Sequence, residues 1–481
     1  MLVESVPETR EPETEGPAAG EGETPEPGWE TGEGEAQEPE TETGEDGEPE
    51  AGKPKKETGE APAGSEAEPE QAEDSEADRE DPWPLKLVFA SDLHLLADSL
   101  HDGGEAYREK LAADDGKVTP YSSQILKALL QEAADLDADA VILHGDLTYN
   151  GEWESHLALA EILREARERL GLRILILPGN HDINNPDAAW FYGAETGAAR
   201  PVTPEEFEEI YREFGYEEAA SRDETSLSYM WKLNEAASLM LLDTNIYEPV
   251  NRVNGEIEPE TYEWMIRQLD LAEEQGVQVL PAGHHNLLQE SRLYTWDCVI
   301  ESRQSAIWLF GEHQLPLYIS GHLHASRTRR NKTAPGMPDD AYGIWEAVTG
   351  SVSMAPCTYL LLTWEEDGTM DLSFRETDVS AWAARNGETD PNLLDFRNFS
   401  VNWYYEVIQN QVLKKTRAMV PEEYAEEMAR TYADVLYHYC AGSPLPPSEV
   451  RQSEGYRLWQ RFAPEERWTS YLDQILKDYS Y

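Results

Sequence analysis

The chain has 481 residues, with 96 acidic and 38 basic side chains that give a formal net charge of −58. This balance argues against a protein that covers nucleic acid with an electropositive surface, although bound metal ions can still admit a small anionic substrate. No run approaches the roughly 20 apolar residues that a membrane-spanning helix needs. The three cysteines, Cys298, Cys357 and Cys440, are too widely spaced for a disulfide framework, so we expect free thiols.

The acidic charge is concentrated at the amino terminus. Residues 1–80 carry 28 acidic and 5 basic side chains, many Gly and Pro residues and few apolar ones. Such a segment cannot bury enough apolar surface to offset the entropy of ordering. We therefore predict a disordered, self-repelling tail over residues 1–82, with a tail that captures cations or basic partners as the alternative.

This tail also bears on localisation. A long Glu/Pro/Gly-rich tether ahead of a folded domain is typical of proteins that follow a removed export signal or a lipid anchor. Residues 1–30 contain no basic region followed by an apolar core, so no signal peptide is visible. We expect an extracytoplasmic or envelope-tethered protein rather than a cytoplasmic one.

Three short apolar runs each end in a cluster of polar residues. Residues 87–90 lead into Ser91-Asp92-Leu93-His94, residues 140–143 into His144-Gly145-Asp146, and residues 174–177 into Pro178-Gly179-Asn180-His181-Asp182. Amphipathic stretches over 122–138 and 153–170 separate these runs, which predicts a βαβαβ unit with helices packed on a sheet. The carboxyl ends of strands in such sheets are where ligands bind.

The remaining elements follow from the same periodicities. We predict a loop after His94, a loop-like insertion over 184–199 and helices over 204–214, 259–274 and 306–313. Strands are predicted over 226–233, 237–242, 277–280, 317–319, 342–348, 358–364 and 370–376, the last two joined by a turn at Asp367-Gly368. From about residue 380 the apolar spacing is helical, especially over 394–414, 421–440 and 467–480.

Seven side chains near strand ends are candidate metal ligands: Asp92, His94, Asp146, Asn180, His284, His322 and His324. Carboxylate and amide oxygens together with imidazole nitrogens suit ions such as Mn, Fe and Zn. Residues i and i+2 of a strand share a face, so each Asp-x-His or His-x-His pair can point at one spot. Seven ligands are too many for one tetrahedral site but suit two ions that share a bridging carboxylate.

In chain order, five motifs resemble the signature of the calcineurin-like metallophosphoesterase superfamily: Asp92-x-His94, Gly145-Asp146, Gly179-Asn180-His181-Asp182, Gly283-His284 and Gly321-His322-x-His324. Each motif alone is unspecific, but all five occur in the family's order with no ligand substituted. The resemblance implies an α/β fold, a four-layer α/β/β/α sandwich over residues 83–378. A helical C-terminal extension over residues 379–481 would follow it.

The resemblance also implies a role for each site residue. The first metal would be held by Asp92, His94 and His324, the second by Asn180, His284 and His322, with Asp146 bridging both. His181, paired with Asp182, would stabilise the transition state or protonate the leaving oxygen. A hydroxide between the two metals would attack phosphorus in line.

The other polar residues near the motifs are expected to be structural. This applies to His101, His144, His156, His285, His313 and His438, and to Asp243 as a turn carboxylate. His285 is expected to support the neighbouring ligand, and a similar supporting role for His144 and His156 is the less favoured alternative. Tyr149 and Asn150 are candidates for shaping the pocket.

We therefore expect a metal-dependent hydrolase of phosphate esters. It would act as a phosphomonoesterase or a phosphodiesterase on a small or nucleotide-like phosphorylated substrate, and the loops after His94 and Asp182 would determine which. One alternative is a binding or scaffold protein built on an inactive phosphoesterase-like core. Another is a hydrolase that uses the same metals on a pyrophosphate or a lipid-linked phosphate.

Overall fold

The computed structural model of this protein describes residues 83–293, 297–331 and 343–479. The tail predicted over residues 1–82 therefore lies outside the described residues. Within those residues no helix combines the length and apolar composition that a bilayer crossing needs. The three cysteines are buried free thiols, as expected.

The described residues form sixteen strands: β1 (Leu85–Ala90), β2 (Ala140–His144), β3 (Ile174–Leu177), β4 (Ala189–Tyr192), β5 (Glu195–Ala198), β6 (Ser221–Arg222), β7 (Tyr229–Lys232), β8 (Ala237–Leu242), β9 (Asn245–Ile246), β10 (Arg252–Gly255), β11 (Gln278–Gly283), β12 (Leu317–Ser320), β13 (Arg327–Arg330), β14 (Trp345–Val348), β15 (Thr358–Trp364) and β16 (Met370–Glu376). The same residues form thirteen α-helices: α1 (Glu105–Ala113), α2 (Ser122–Asp135), α3 (Trp153–Leu170), α4 (Pro204–Tyr211), α5 (Pro259–Gln275), α6 (Arg303–Glu312), α7 (Val379–Asn386), α8 (Pro391–Leu394), α9 (Phe396–Thr416), α10 (Glu422–Cys440), α11 (Pro447–Gln452), α12 (Glu454–Phe462) and α13 (Arg467–Asp478).

Two sheets form the middle of the protein. The first has the strand order β16-β15-β1-β2-β3. Strands β1, β2 and β3 are parallel, β15 is antiparallel to β1, and β16 is antiparallel to β15. The second has the order β13-β14-β12-β11-β8-β7-β6 and is parallel from β14 to β8. The predicted βαβαβ unit is confirmed as β1-α2-β2-α3-β3, because helices connect strands that pair in parallel.

Helices cover the outer face of each sheet. Residues of both sheets, such as Ile142 and Leu241, belong to one buried cluster that also includes Ile125 of α2. A separate cluster packs α5 and α6 on the second sheet through Met265 and Phe310. Each fully buried side chain of this size stabilises the fold by roughly 1.5–3 kcal/mol relative to exposure. The predicted four-layer α/β/β/α sandwich is confirmed.

The C-terminal residues are helical, as predicted, and this helical domain shares a buried cluster with the sandwich. Its buried cluster includes Met428 of α10, Trp459 of α12 and Leu472 of α13. The same cluster takes in Leu323 and Ala325, which flank the predicted ligand His324. The helical domain therefore packs directly against the loops that follow β12.

Several assignments made from the sequence differ from the structure. The loop predicted after His94 contains α1, and the insertion predicted over 184–199 contains the hairpin of β4 and β5, which turns at Gly193 with a φ of 60°. The helix predicted over 204–214 ends at Tyr211, because Phe214 and Gly215 leave the helical region of φ and ψ. The strand predicted over 226–233 is shorter, since Asp223 and neighbouring hydroxyl groups form a turn before β7.

Candidate metal centre

The seven predicted ligands lie in five loops that follow parallel strands. Asp92 and His94 follow β1, Asp146 follows β2 and Asn180 follows β3, all in the first sheet. His284 follows β11, and His322 and His324 follow β12, in the second sheet. The carboxyl ends of both parallel strand sets meet at one edge of the sandwich, where these side chains come together.

Five of the seven have a left-handed backbone. Their φ angles are 58° at Asp92, 47° at His94, 50° at Asp146, 65° at His322 and 54° at His324. This conformation is uncommon for residues with a Cβ, although Asp, Asn and His adopt it more readily than others. The ideal-strand geometry, in which residues i and i+2 share a face, does not apply to these pairs, because the loop rather than the strand directs both side chains.

Two glycines let neighbouring loops approach closely enough to build the site. A Cβ on Gly145 would lie 2.2 Å from Nδ1 of His284, and Gly145 has a φ of 104°. A Cβ on Gly179 would lie 2.1 Å from the backbone nitrogen of Asp146. These contacts explain physically why glycine precedes Asp146 and Asn180 in the motifs.

One group of ligand atoms joins Asp92, His94, Asp146 and His324. Nε2 of His324 lies 3.3 Å from Oδ1 of Asp92 and 3.2 Å from Nε2 of His94. Nε2 of His94 lies 3.8 Å from Oδ2 of Asp146. The four residues are buried, and one ligand atom of each lies within 4.8 Å of the others, so the group could hold a metal ion.

A second group joins Asp146, His284 and His322. Nε2 of His284 lies 3.3 Å from Oδ2 of Asp146 and 3.2 Å from Nδ1 of His322. Asn180 follows Gly179, which contacts Asp146. Its Oδ1 is buried and has no hydrogen-bond partner among the described residues. Asp146 thus belongs to both groups, at the position where the prediction placed a bridging ligand.

The charges of this cluster favour the binding of a cation. Burial raises the pKa of the Asp146 carboxyl, but the nearby His284 and His181 outweigh burial and hold that pKa well below its usual range. Burial lowers the pKa of His284, but the Asp146 carboxylate more than compensates and raises it to about 9. The buried carboxylates therefore attract positive charge, and the oxygen and imidazole donors are those that transition metals accept.

Hydrogen bonds behind three imidazoles fix which ring nitrogen faces the cluster. In each ring, the N–H group that points away from the cluster donates a hydrogen bond. His284 donates to the carbonyl of His144 at 3.1 Å, and His322 donates to the carbonyl of Asp297 at 3.2 Å. His324 donates to the carboxylate of Asp115 at 3.0 Å. The inner nitrogen of each ring then keeps its lone pair for a metal. Sequence reasoning missed Asp115, which lies in the loop after α1 and has no motif of its own.

The predicted pairing of His181 with Asp182 is wrong. Nδ1 of His181 lies 2.8 Å from Oδ1 of Asn150 and 2.9 Å from the carbonyl of Tyr149. The ring of His181 packs edge-on to that of His94 at 4.8 Å, and its backbone nitrogen donates to Oδ1 of Asp146. His181 therefore faces the cluster, and its Nδ1–H is held by the loop after β2.

Asp182 has a different role from the one predicted. Its carboxylate accepts hydrogen bonds from the backbone nitrogens of Gly179 at 2.7 Å, Leu147 at 3.1 Å and Thr148 at 2.9 Å. These buried amides compete successfully for the carboxylate because each would otherwise lack a partner. Asp182 thereby ties the loop that carries Asp146 to the loop that carries Asn180.

The histidines expected to be structural make contacts of that kind. His156 lies 2.9 Å from the carbonyl of Asp182 and 2.9 Å from the hydroxyl of Tyr211, and so supports the same pair of loops. The ring of His144 lies 3.2 Å from the carbonyl of Gly283. Both histidines lie next to loops that carry candidate ligands, and their supporting role in the site stays a prediction.

The remaining residues of this class lie as expected. His285 contacts the hydroxyl of Thr244 at 2.9 Å and the carbonyl of Val253 at 3.0 Å, below the ring of His322. Asp243 accepts from the backbone of Asn245 and the hydroxyl of Tyr247, as a turn carboxylate does. Contacts outside the site hold His101 on Tyr107, His313 near Glu273, and His438 on Ser443.

Two family models match the chain. One, described as calcineurin-like phosphoesterase, matches residues 85–326, and the other, described as the C-terminal domain of cyclic nucleotide phosphodiesterase, matches residues 378–480. A protein named probable cyclic nucleotide phosphodiesterase, from Ruthia magnifica subsp. Calyptogena magnifica, is 37% identical over 60 residues. These residues are 12% of this chain and 24% of that protein, so the match spans about a quarter of the curated relative.

Similar solved structures include a dimetal phosphatase from Danio rerio, with 13% identity over 61% of this chain and 97% of that one and a TM-score of 0.44. A structure of PhoD has 13% identity over 69% of this chain and 78% of that one, with a TM-score of 0.35. These TM-scores are too low to establish a shared fold. The first family model, by contrast, covers half of the chain and all five motifs. The chain belongs to the calcineurin-like phosphoesterase family.

Proposed function

We propose that this protein is a dinuclear metal-dependent phosphodiesterase that hydrolyses cyclic nucleotides. The observation that carries the dinuclear part is the position of Asp146, whose Oδ2 lies 3.8 Å from Nε2 of His94 in one group and 3.3 Å from Nε2 of His284 in the other. The substrate class is supported by the C-terminal domain match over residues 378–480 and by the name of the curated relative.

Of the seven candidate ligands, three would hold each ion and one would bind both. Asp92, His94 and His324 would hold the first, Asn180, His284 and His322 the second, and Asp146 would contribute to both. When bound, two ions of Mn, Fe or Zn would polarise the phosphoryl group and lower the pKa of the attacking water. The proposal needs no other cofactor.

His181 would supply the proton for the leaving oxygen. Its Nδ1–H donates to Asn150 and to the carbonyl of Tyr149, so the second nitrogen, Nε2, is the one that can face the substrate. A proton on Nε2 is the one that a general acid in this orientation would transfer. Asn150 would therefore hold the general acid in position, and Asp182 would hold the loops around it.

Comparing three substrates tests this proposal. Hydrolysis of cyclic AMP, bis(p-nitrophenyl) phosphate and p-nitrophenyl phosphate is measured with added Mn²⁺, for the wild type and for Asp146→Asn. We expect Mn-dependent turnover of the cyclic nucleotide and of the diester, faster than of the monoester, and a large loss in the variant. Faster monoester turnover would indicate a phosphomonoesterase, and an unaffected variant would mean that the site lies elsewhere. The absence of metal-dependent turnover on all three would favour a binding or scaffold protein.

A further inference from the structure

A buried ionic cluster lies in the loop after α1, beside the metal centre. Asp114, Asp115 and Lys117 are only 8%, 7% and 8% exposed. Nζ of Lys117 lies 3.1 Å from Oδ1 of Asp114 and 3.0 Å from Oδ1 of Asp115. Burial of three charges is costly unless they are paired. Lys117 thus bridges the two carboxylates through Oδ1 of each.

The second carboxylate oxygen of Asp115 faces a predicted ligand. Oδ2 of Asp115 lies 3.0 Å from Nδ1 of His324, whose Nε2 lies 3.3 Å from Oδ1 of Asp92. A carboxylate behind an imidazole fixes its tautomer and ring orientation and makes the opposite nitrogen a stronger donor. His284 and His322 have neutral carbonyl oxygens in the corresponding position. Among these three, His324 alone is held by a charged group.

The C-terminal domain holds this loop through α9. Nε2 of Gln411 donates to the carbonyl of Ala112 at 3.0 Å and to that of Asp114 at 2.7 Å. Nε1 of Trp403 donates to the carbonyl of Lys117 at 3.0 Å. Gly116 lies so close to Tyr404 that a Cβ there would be 2.7 Å from the ring. Helix α9 thus contacts the backbone on both sides of Asp115.

We propose that the C-terminal helical domain completes the first half of the metal centre by holding Asp115 against His324. Asp115 is a positioning residue, because it contacts the ligand and not the metal. The inference rests on the proposed function only in that Asp92, His94 and His324 bind a metal ion. It assigns the helical domain a part in metal binding that the five motifs do not include.

Metal binding by Asp115→Asn tests the inference without any measurement of activity. Mn²⁺ is titrated into the metal-free full-length chain and followed by calorimetry. Asparagine keeps the shape of Asp115 but offers no negative charge to Nδ1 of His324. We expect the affinity of one Mn²⁺ site to fall about ten- to a hundredfold and that of the other to stay unchanged. Equal affinities in the variant and the wild type would overturn the inference.

Asp114→Asn is the matched control. The substitution removes the other carboxylate partner of Lys117. Asp114 itself makes no contact with His324 among the described hydrogen bonds and ion pairs. We expect its Mn²⁺ affinities to stay within about threefold of those of the wild type, since a lost ion pair alone does not turn the ligand. An equal loss in both variants would overturn the inference, because the cause would then be the ionic cluster as a whole.

The part played by α9 is tested separately with Gln411→Ala and with Asn410→Ala, an exposed neighbour on the same helix. Gln411→Ala leaves the ionic cluster intact, so it decides the question even if Asp115→Asn does not fold. We expect Gln411→Ala to weaken the same Mn²⁺ site as Asp115→Asn, and Asn410→Ala to leave it unchanged. Equal binding by these two variants would show that the helical domain takes no part.

The failure of this inference and that of the proposed function give different results. A wild-type chain that binds no Mn²⁺ would overturn the proposed function and the metal centre with it. A wild-type chain that binds two Mn²⁺ ions, with Asp115→Asn identical to it, would overturn only the role of Asp115.

Discussion

The two halves of the candidate centre have similar ligands, but different kinds of group hold their imidazoles. In the half with His284 and His322, the groups that accept from the two rings are the backbone carbonyls of His144 and Asp297. There the buried carboxylate of Glu346 accepts from the backbone of Leu287 at 2.8 Å and from the hydroxyl of Ser320 at 2.6 Å, so it links the loops of both histidines. In the half with His324, the supporting carboxylate is Asp115, in a loop held by α9.

This difference shows that a backbone carbonyl and a side-chain carboxylate can do the same task in one site. A backbone carbonyl that orients an imidazole remains present whatever side chain its own residue carries. A carboxylate that does the same can be removed by one substitution. The half that contains His324 should therefore be the easier one to weaken selectively.

The largest effect is expected where the two halves meet. Asp146→Ala removes the side chain that both groups share, so we expect the loss of both bound metals and at least a ~10³-fold loss of turnover, because the metals stabilise the transition state by several kcal/mol. Metal content after desalting, measured by mass spectrometry, checks this. His324→Ala and His322→Ala should each lose one ion. A full equivalent of metal retained by Asp146→Ala would mean that the halves are independent sites.

His181 belongs to neither half, and this separates its role from that of the ligands. We expect His181→Ala to lower kcat by about 10²- to 10⁴-fold, as the loss of a general acid does, while both metals stay bound. Asn150→Ala should lower kcat less, because the imidazole remains and loses only one of its two acceptors. Metal lost from His181→Ala would show that His181 acts as a ligand.

Gly145 tests how closely the loops of the two sheets must approach. Alanine there would place a Cβ 2.2 Å from Nδ1 of His284 at a φ of 104°, so we expect a loss of roughly 2–4 kcal/mol in the free energy of unfolding. Gly276→Ala is the control, because its φ is 69° and nothing lies within 4 Å of the added Cβ. It should cost only about 1 kcal/mol. Urea unfolding of the metal-free proteins compares them, and equal losses would contradict the steric argument.

A smaller expected effect is a pH dependence of the free energy of unfolding, to which Glu290 should contribute and Asp115 should not. Burial raises the pKa of Glu290, beside Glu346, to about 7, although Arg329 and Arg327 oppose this shift. The folded state then binds a proton that the unfolded state releases near pH 4.5, so this stability is present below pH 4.5 and is lost as the pH rises through 7.

Glu290→Gln removes this titration. The free energy of unfolding of the wild type relative to Glu290→Gln should therefore fall by about 1–3 kcal/mol between pH 5 and pH 8. Asp115 should add nothing in this range, because Lys117 and His324 outweigh burial and hold its pKa well below its usual value. Urea unfolding at four pH values gives the comparison, and parallel curves for the two proteins would contradict it.

The candidate ligands could be chosen from the sequence because each one lies in a short local pattern at the end of an apolar run, and the structure brings six of the seven into two groups. The support for these ligands could not, because it depends on contacts between distant residues. Asp115 and His324 are 209 positions apart, and neither the loop after α1 nor the spacing of α9 indicates that they meet. The predicted pairing of His181 with Asp182 was wrong because side chains that are adjacent in sequence need not point toward each other.

The helices show the same contrast. The apolar spacing of the long helices α3, α5, α9 and α10 was sufficient to predict them, whereas α1 is short and has only two buried residues, Tyr107 and Leu111. Periodicity predicts that a helix buries one face but not which surface covers that face. The contact of α9 with the loop around Asp115 therefore needed the structure.

The most direct test of the dinuclear centre is anomalous diffraction from crystals grown with Mn²⁺. We predict two peaks roughly 3.5–4 Å apart on either side of the Asp146 carboxylate, one beside His324 and the other beside His322. A single peak, or peaks that Asp146 does not separate, would contradict the account.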